Sequence, residues 1–298
     1  MKKIRFVLPL LFLLLAVRGS WEVWRSYHNP VVNRFTVALD GVTSPVRLAV
    51  LSDLHDMTYG EANSQLTDLV AGAAPDLILL DGDMLNGYSD GSGRVCALVE
   101  ELSAVAPVYY AWGNHELMYL EAGTSALRAE LEAAGAVVLE KEYVDLTVGE
   151  THVRLGGLYE YAFALDAKNS CDPDRMDPAV YGFLTEFQDT DACKILLSHR
   201  PDSFIFGAAS VTWDVDLVIS GHNHGGQVVL PFLGGLYGGD QGFFPQYIHG
   251  IYKKDTITLA ITSGLGTQLE RLPRFRNPPE VMILELCAQA DSPATGGT

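Results

Sequence analysis

Two histidines, His222 and His224, lie one residue apart in the glycine-rich segment SGHNHGGQ (220–227). An isolated His-x-His pair in a polar turn is most often part of an ordinary surface loop. Neutral imidazole is also the commonest metal ligand among protein side chains, and residues two apart in an extended segment point to the same side. The pair therefore indicates a metal site only if other ligand residues accompany it.

Residues that can bind a metal follow several other apolar runs along the chain. Together with the histidine pair, they are Asp53, His55, Asp83, Asn114, His115, His199, His222 and His224. Two divalent cations about 3.5–4 Å apart repel each other, so a carboxylate is needed between them, and Asp83 is the natural bridge. A water that bridges two such cations ionises far more readily than bulk water and becomes a hydroxide nucleophile. The set therefore indicates hydrolysis of a phosphate ester.

A repeated pattern of apolar runs and helical segments positions these residues. VRLAVLSDLH (46–55), DLILLDGD (76–83) and VYYAWGNHE (108–116) are predicted as buried strands with polar residues at their ends. The segments between them have the apolar spacing of helices, and a third helix is predicted within 124–135. This order forms a βαβαβ unit, in which functional residues gather at the carboxyl ends of the strands.

Composition limits the classes of function. A chain of 298 residues with 48% hydrophobic content can bury a sizeable core and form one large domain or two small ones. A net charge of −17 disfavours nucleic acid as a partner, because a polyanion would be repelled. The four cysteines show no C-x-x-C spacing, which argues against a zinc ribbon or a dense disulfide framework.

The first residues differ in character from the rest of the chain. Lys2, Lys3 and Arg5 precede an apolar run over 6–17, as in a secretory signal or a membrane anchor. An uncleaved anchor over 1–27 is the favoured interpretation, a cleaved signal is the next, and a buried core helix is the third. The basic residues predict a protein at the cell membrane with an extracytoplasmic catalytic domain, and a secreted protein is the alternative.

Five ordered motifs resemble those of the calcineurin-like metallophosphoesterase superfamily, and more narrowly its bacterial membrane-associated phosphodiesterase branch. The motifs are SDLH, GDMLN, GNHE, LLSHRPD and GHNHGGQ. The resemblance spans residues 45–286 and implies an α/β fold, a four-layer α/β/β/α sandwich with mixed sheets and a dinuclear site on loops at the sheet edges. Residues 288–298 are predicted to form a disordered tail.

The resemblance also implies a role for each ligand residue. One metal ion would bind Asp53, His55, Asp83 and His224. The other would bind Asp83, Asn114, His199 and His222. His115 would protonate the leaving-group oxygen or stabilise its charge. The cofactors would be two divalent metal ions, and this ligand set is compatible with Mn, Fe or Zn.

Four further residues allow two interpretations each. Arg271 belongs to a basic segment over 266–280 and could pair with a phosphate oxygen, but a solvated loop is the more ordinary interpretation. Glu116 either orients His115 or is simply exposed. Asp56 and Asp81 add carboxylates beside the ligands, and we expect them to face solvent rather than to attract cations.

The predicted function is that of a metal-dependent phosphoesterase, most specifically a phosphodiesterase that hydrolyses a lipid-linked or cell-envelope phosphodiester through a metal-bridging hydroxide. A phosphomonoesterase or nucleotide hydrolase that uses the same site is one alternative. A noncatalytic metal-binding surface protein is another, but it should have lost part of the ligand set. The expected partners are the phosphoester substrate and, through the N-terminal segment, the membrane.

Overall fold

The structure is a computed structural model that describes residues 4–123, 126–159, 172, 174–267 and 272–289, without the side chains of residues 4–8. The predicted tail lies outside these ranges from residue 290 onward. The domain limits predicted from the sequence stay predictions.

Two six-stranded mixed sheets form the centre of the described fold. The strands are β1 (Val31–Leu39), β2 (Val46–Leu51), β3 (Leu77–Asp81), β4 (Val108–Ala111), β5 (Ala136–Leu139), β6 (Glu142–Val148), β7 (Thr151–Gly157), β8 (Cys193–Leu197), β9 (Leu217–Ser220), β10 (Val229–Leu230), β11 (Gly234–Gly235), β12 (Gly250–Lys254), β13 (Ile257–Ile261) and β14 (Glu280–Ala288). The first sheet has the order β1-β14-β2-β3-β4-β5, and the second has the order β12-β13-β9-β8-β7-β6. Strands β10 and β11 form a separate antiparallel pair.

The described part of the chain also contains eight α-helices. They are α1 (Ile4–His28), α2 (Ser64–Ala73), α3 (Gly93–Ser103), α4 (Asn114–Glu121), α5 (Leu127–Ala133), α6 (Pro178–Phe187), α7 (Asp202–Ile205) and α8 (Ala209–Thr212). One core lies between the first sheet and α2, α3 and α5, a second lies between the two sheets, and a third lies between the second sheet and α6 to α8. The predicted four-layer α/β/β/α sandwich is thereby confirmed.

The layers follow from the apolar pattern of each segment. Strand β3 reads LILLD and is buried on both faces, as expected for a parallel strand between two layers. Helix α3 buries Val95, Leu98, Val99 and Leu102, which share one helical face because they are spaced three and four residues apart. Burial of these faces aligns β2, β3 and β4 in parallel, so their carboxyl ends meet at one edge.

The first sheet also includes a strand that lies before residue 45. Strand β1 pairs in parallel with β14 from Val31↔Glu280 to Leu39↔Ala288. This pairing adds an edge strand to the sheet. The first strand of the described chain thus lies beside the last one.

The N-terminal segment corrects one prediction. Among the described residues, no helix is both long enough and apolar enough to cross a membrane. Helix α1 carries Arg18, Glu22 and Arg25 after its apolar run over 6–17. The prediction of a protein anchored at the cell membrane is therefore wrong, and the membrane is not supported as a partner.

The second half of α1 instead contacts the body of the protein. Glu22 and Ser26 are buried. The backbone N–H of Asn277 donates to Ser26 Oγ (3.2 Å), and that of Arg274 donates to Tyr27 Oη (3.1 Å). The end of the helix is thus fixed to the loop that precedes β14.

Candidate metal centre

The structure brings all seven predicted ligand residues to one edge of the two sheets. Asp53 and His55 follow β2, Asp83 follows β3, and Asn114 follows β4. From the second sheet, His199 follows β8, and His222 and His224 follow β9. Ligand atoms of six of these residues, together with His115, form overlapping groups within 4.8 Å, which are Asp53–His55–His224, His55–Asp83–His115 and Asp83–His199–His222. Asn114 lines the pocket over the same cluster.

Two carboxylates form the centre of this cluster. Nε2 of His199 lies 3.1 Å from Asp83 Oδ2 and 3.8 Å from Asp53 Oδ1. Nε2 of His55 lies 3.9 Å from Asp83 Oδ2 and 4.0 Å from Asp53 Oδ1. Nε2 of His224 lies 3.7 Å from Asp53 Oδ1. Three imidazole rings therefore direct the same nitrogen toward Asp53 and Asp83.

Hydrogen bonds at the opposite nitrogen fix these three rings. Nδ1 of His199 lies 2.6 Å from the carbonyl oxygen of Asp81, and Nδ1 of His224 lies 3.2 Å from that of Gly266. Nδ1 of His55 lies 3.0 Å from Asn86 Oδ1. When Nδ1 donates its proton to these oxygens, Nε2 presents a lone pair, which is the tautomer that binds a metal.

Unpaired polar atoms show that the donor set fits a metal. Nε2 of His55 and Oδ1 of Asn114 are buried and have no hydrogen-bond partner within the described part of the chain. Buried polar atoms rarely stay unpaired, because each costs free energy. Imidazole, carboxylate and amide oxygen together are suitable ligands for divalent transition metals.

The backbone conformation at the cluster is unusual. Five of the predicted ligand residues have a positive φ, which only glycine adopts without strain. They are Asp53 (55°), His55 (49°), Asp83 (53°), His222 (66°) and His224 (44°). Strained backbone of this kind persists where the surrounding fold imposes it, and it concentrates at functional sites.

Close packing requires a glycine beside the central carboxylate. A Cβ atom at Gly113 would collide with the Asp83 side chain and backbone. Because Gly113 has none, the turn after β4 can approach the turn after β3, and the His115 backbone N–H donates to Asp83 Oδ1 (2.8 Å). A larger residue at position 113 would displace the shared carboxylate.

The pKa shifts reflect the concentration of charge. Burial disfavours the charged form of His199, but the Asp83 and Asp53 carboxylates outweigh it and raise its pKa to about 10. Burial lowers the pKa of His224 to about 3. The pKa of Asp83 lies well below its ordinary value, because the histidine charges overcome the cost of burial. Without metal, a proton on His199 thus compensates the carboxylates.

Asp81 departs from the sequence expectation. It was expected to face solvent, but it is fully buried, and neither carboxylate oxygen has a hydrogen-bond partner among the described residues. Burial raises its pKa to about 8. Asp56 is partly buried and accepts hydrogen bonds from Asn86 Nδ2 (2.9 Å) and Ser89 Oγ (2.5 Å). Asp56 therefore organises the loop that holds Asn86 against His55.

Glu116 is a buried structural residue and not an exposed one. Its carboxylate accepts the backbone N–H groups of Asp83 (2.7 Å), Met84 (2.9 Å) and Gly113 (2.8 Å). It also accepts the Tyr110 hydroxyl (2.7 Å). Glu116 is the third residue of α4 and caps the N terminus of that helix through Gly113. It therefore joins the turns that carry Asp83 and Asn114.

His115 lies beside the ligand cluster with a defined orientation. The Gly87 backbone N–H donates to Nδ1 of His115 (3.1 Å). A neutral His115 ring consequently carries its proton on Nε2. This tautomer can donate a proton to an oxygen atom of a substrate.

The predicted substrate-binding arginine, Arg271, lies outside the described residues. Its neighbour Arg274 is fully buried and donates to the carbonyl oxygens of Gly266 (2.7 Å) and Gly264 (3.1 Å). Since the Gly266 carbonyl also contacts His224 Nδ1, Arg274 supports the loop that orients that histidine.

A pocket of about 280 Å³ opens over the cluster. It is lined by His55, Asp83, Asn114, His115, His222, His224, Gln227, Tyr237, Gly239, Asp240 and Thr267. Residues 237–240 come from the segment after β11, so this loop forms a wall of the pocket.

A family model described as Calcineurin-like phosphoesterase matches residues 46–226. The chain belongs to this family. It is a metallophosphoesterase, as predicted, and therefore an enzyme that hydrolyses phosphate esters. The ligand cluster indicates divalent metal ions as its cofactors.

Three known proteins resemble this metallophosphoesterase. The protein named Uncharacterized metallophosphoesterase YkuE of Bacillus subtilis (strain 168) is 28% identical over 245 residues, which cover 80% of this chain and 78% of YkuE. The protein named Phosphodiesterase YaeI of Escherichia coli (strain K12) is 27% identical over 251 residues, which cover 82% of this chain and 83% of YaeI. The structure of Phosphopantetheinyl Hydrolase from Mycobacterium tuberculosis is 14% identical with a TM-score of 0.43, over 71% of this chain and 86% of that chain.

Sequence reasoning missed several residues of the metallophosphoesterase site. Asn86 contacts His55 from a position three residues after Asp83, within the quoted motif GDMLN. Glu116 follows His115 directly in GNHE, and its position at the start of a helix was the available signal for a cap. The Gly266 carbonyl gives no signal in the sequence, because any residue could supply it.

Proposed function

We propose that this metallophosphoesterase is a dinuclear phosphodiesterase. The convergence of three imidazole Nε2 atoms on Asp53 and Asp83 supports the proposal most directly. One ion would be held by Asp53, His55, Asp83 and His224. The other would be held by Asp83, Asn114, His199 and His222. Mn, Fe and Zn each suit these ligands.

The two ions and the protein side chains would have separate tasks. Bound together, the cations would supply an acidified water as nucleophile and positive charge opposite the phosphate oxygens. His115 would supply the proton for the leaving-group oxygen from Nε2, because the Gly87 N–H occupies Nδ1. Asp83, shared between the two sets, would keep the cations close to each other.

The charge of the pocket supports a diester over a monoester. The described residues that line it include no lysine or arginine, and the Asp240 carboxylate is paired with Arg200. A phosphate monoester is nearly dianionic at neutral pH, whereas a diester carries one charge. Such a lining offers no cationic side chain to the additional charge of a monoester. The name of the relative Phosphodiesterase YaeI is consistent with this preference.

An apolar group on the substrate would suit the wall of the pocket. The segment between β10 and β12 exposes Phe232, Leu233, Phe243 and Phe244 to solvent. The Phe243 ring contacts the ring of Tyr237, which lines the pocket (centroids 5.5 Å apart). An exposed aromatic side chain next to a polar site is typical of a surface that contacts an apolar ligand. A lipid-linked or cell-envelope phosphodiester has this chemistry, with a single charge beside a hydrocarbon group.

Hydrolysis of two synthetic esters tests the function. The protein is treated with chelator, single metals are restored, and cleavage of bis-p-nitrophenyl phosphate is compared with that of p-nitrophenyl phosphate. We expect metal-dependent cleavage that favours the diester and is abolished in Asp83→Ala. The variant Asp191→Ala is the control, because Asp191 is exposed and precedes β8 at the sheet edge opposite His199. Preferential cleavage of the monoester would overturn the diester assignment.

Extension of the ester with an alkyl chain tests the apolar wall. We expect KM for a long-chain p-nitrophenyl phosphodiester to be lower than for a methyl one, and the difference to disappear in Phe243→Ser/Phe244→Ser. Equal KM values for both esters in the unaltered protein would contradict a lipid-linked substrate without affecting the assignment of the metal site.

A further inference from the structure

His222 differs from the other three predicted ligand histidines in which of its ring nitrogens lies against a protein oxygen. His55, His199 and His224 each place Nδ1 against a protein oxygen and direct Nε2 toward the central carboxylates. In His222, by contrast, Nε2 lies 3.4 Å from Asp240 Oδ2. The same ring edge packs on Gly239, since a Cβ there would lie 3.0 Å from Nε2 and 3.1 Å from Cδ2. The ring edge that carries Nδ1 is therefore the one left for Asp83 and His199.

Asp240 also pairs with an arginine. The guanidinium of Arg200 donates through Nη2 to Asp240 Oδ2. Arg200 directly follows the ligand His199, and its Nη1 donates to the Tyr159 hydroxyl (3.5 Å). The ion pair thus connects the turn after β8 to the wall loop that contains Asp240.

A second carboxylate lies beside this pair. Asp202 is the first residue of α7 and is fully buried. Neither of its carboxylate oxygens has a hydrogen-bond partner in the described ranges of the chain. Ligand atoms of Asp202, His222 and Asp240 nevertheless lie within 4.8 Å of one another. A buried carboxylate without a hydrogen-bond partner at this position indicates that its negative charge stabilises a neighbouring group, and His222 is that neighbour.

We propose that Asp240, held by Arg200, is a positioning residue that accepts the Nε2 proton of His222 and thereby presents Nδ1 to the metal site. An imidazole that binds a cation through one nitrogen becomes a stronger hydrogen-bond donor at the other. Asp202 therefore supports the role of Asp240, because two carboxylates then stabilise the Nε2 proton of His222. The assignment rests on the proposed function. It predicts that one ligand histidine binds through Nδ1 and three through Nε2. Carboxylate partners of this kind usually contribute 10–100-fold to metal affinity.

Zinc titration of the full chain tests the role of Asp240. Calorimetry should show two Zn²⁺ per unaltered chain. In Asp240→Ala, the affinity of one of them should fall by about 10–100-fold, while the other stays unchanged. Asp240→Asn should give a smaller loss, because its amide oxygen still accepts the proton. The exposed control Asp191→Ala should match the unaltered protein.

The binding nitrogens provide a readout that does not depend on any variant. Two-bond ¹⁵N–¹H correlation spectra of the zinc-loaded protein, labelled at histidine, distinguish Nδ1-bound from Nε2-bound rings. We expect the His222 ring, assigned by its loss in His222→Asn, to show the Nδ1-bound pattern. An Nε2-bound His222 would overturn the proposal even if Asp240→Ala did not fold.

The remaining outcomes separate this inference from the proposed function. Two zinc ions with equal affinities in Asp240→Ala and the unaltered protein would overturn the role of Asp240 alone. A third zinc ion lost in Asp240→Ala and Asp202→Ala would also overturn it, since the carboxylates would then be ligands themselves. A chain that binds no zinc would overturn the proposed function and this inference together.

Discussion

Replacement of Glu116 by glutamine should destabilise the metal-free protein although the two side chains have nearly the same shape. Oε2 accepts the Asp83 and Gly113 N–H groups, and Oε1 accepts the Met84 N–H and the Tyr110 hydroxyl. Glutamine has only one acceptor oxygen, so its amide N–H₂ must replace the other. The better orientation places the N–H₂ at the Met84 N–H and the Tyr110 hydroxyl, because a hydroxyl can turn and accept.

The magnitude follows from the donors that lose their acceptor. Each buried donor left unsatisfied costs about 1–3 kcal/mol, so the Met84 N–H alone predicts a loss of about 1–3 kcal/mol in the free energy of unfolding. Tyr110→Phe removes a single donor and leaves the carboxylate intact, so it should cost only about 1 kcal/mol. Because Asp83 and Asn114 depend on the turns that Glu116 joins, metal affinity should fall as well.

Urea denaturation of the chelator-treated protein measures both effects. Glu101→Gln is the matched control, since Glu101 is exposed on α3 and undergoes the same chemical change. An unfolding free energy of Glu116→Gln within about 0.5 kcal/mol of the control would refute the assignment, because surface substitutions stay within that range.

Three further predictions concern protons and metal. His115→Gln should lower kcat for diesters with alkyl leaving groups by about 10²–10⁴-fold but have less effect on p-nitrophenyl esters, and equal losses for both would contradict a proton-donor role. Because burial raises the pKa of Asp81 to about 8, folding takes up a proton, and stability of the metal-free protein should fall as pH rises from about 4 to 8. The free energy of unfolding should therefore fall by up to about 1.4 kcal/mol per pH unit, and Asp81→Asn should remove this pH dependence in thermal or urea unfolding. An unchanged pH profile in Asp81→Asn would contradict the raised pKa of Asp81. The pKa of His199 is raised to about 10, so metal must displace a proton from its ring. Apparent Mn²⁺ affinity should therefore rise about tenfold per pH unit between pH 7 and 9. A Mn²⁺ affinity that does not change with pH would contradict the ligand assignment.

The ligand positions could be predicted from sequence because each follows an apolar strand directly. Parallel strands end at a common edge, so Asp53, Asp83 and Asn114 had to meet once β2, β3 and β4 were recognised. The histidines of the second sheet could be placed beside them only through the resemblance. No local sequence pattern predicts that β8 and β9 pack against the first sheet.

Residues that act through long-range contacts could not be predicted. Asp81 has the same local pattern as an exposed acidic residue at a strand end, and only the apposition of the two sheets buries it. Arg274 lies in a basic, proline-containing segment that is typical of a solvated loop, yet it is enclosed by carbonyl groups from Gly264 to Pro278. In both cases, burial depends on segments distant in the chain.

The membrane prediction was wrong for a related reason. The apolar run over 6–17 carries no information on the rest of α1, which contains charged residues and contacts Asn277 and Arg274.

Anomalous diffraction from crystals soaked in Mn²⁺ tests the central claim most directly. We expect two peaks about 3.5–4 Å apart. Both should lie beside Asp83, one toward His55 and His224 and the other toward Asn114 and His199. A single peak, or two peaks that do not share Asp83, would contradict the dinuclear site.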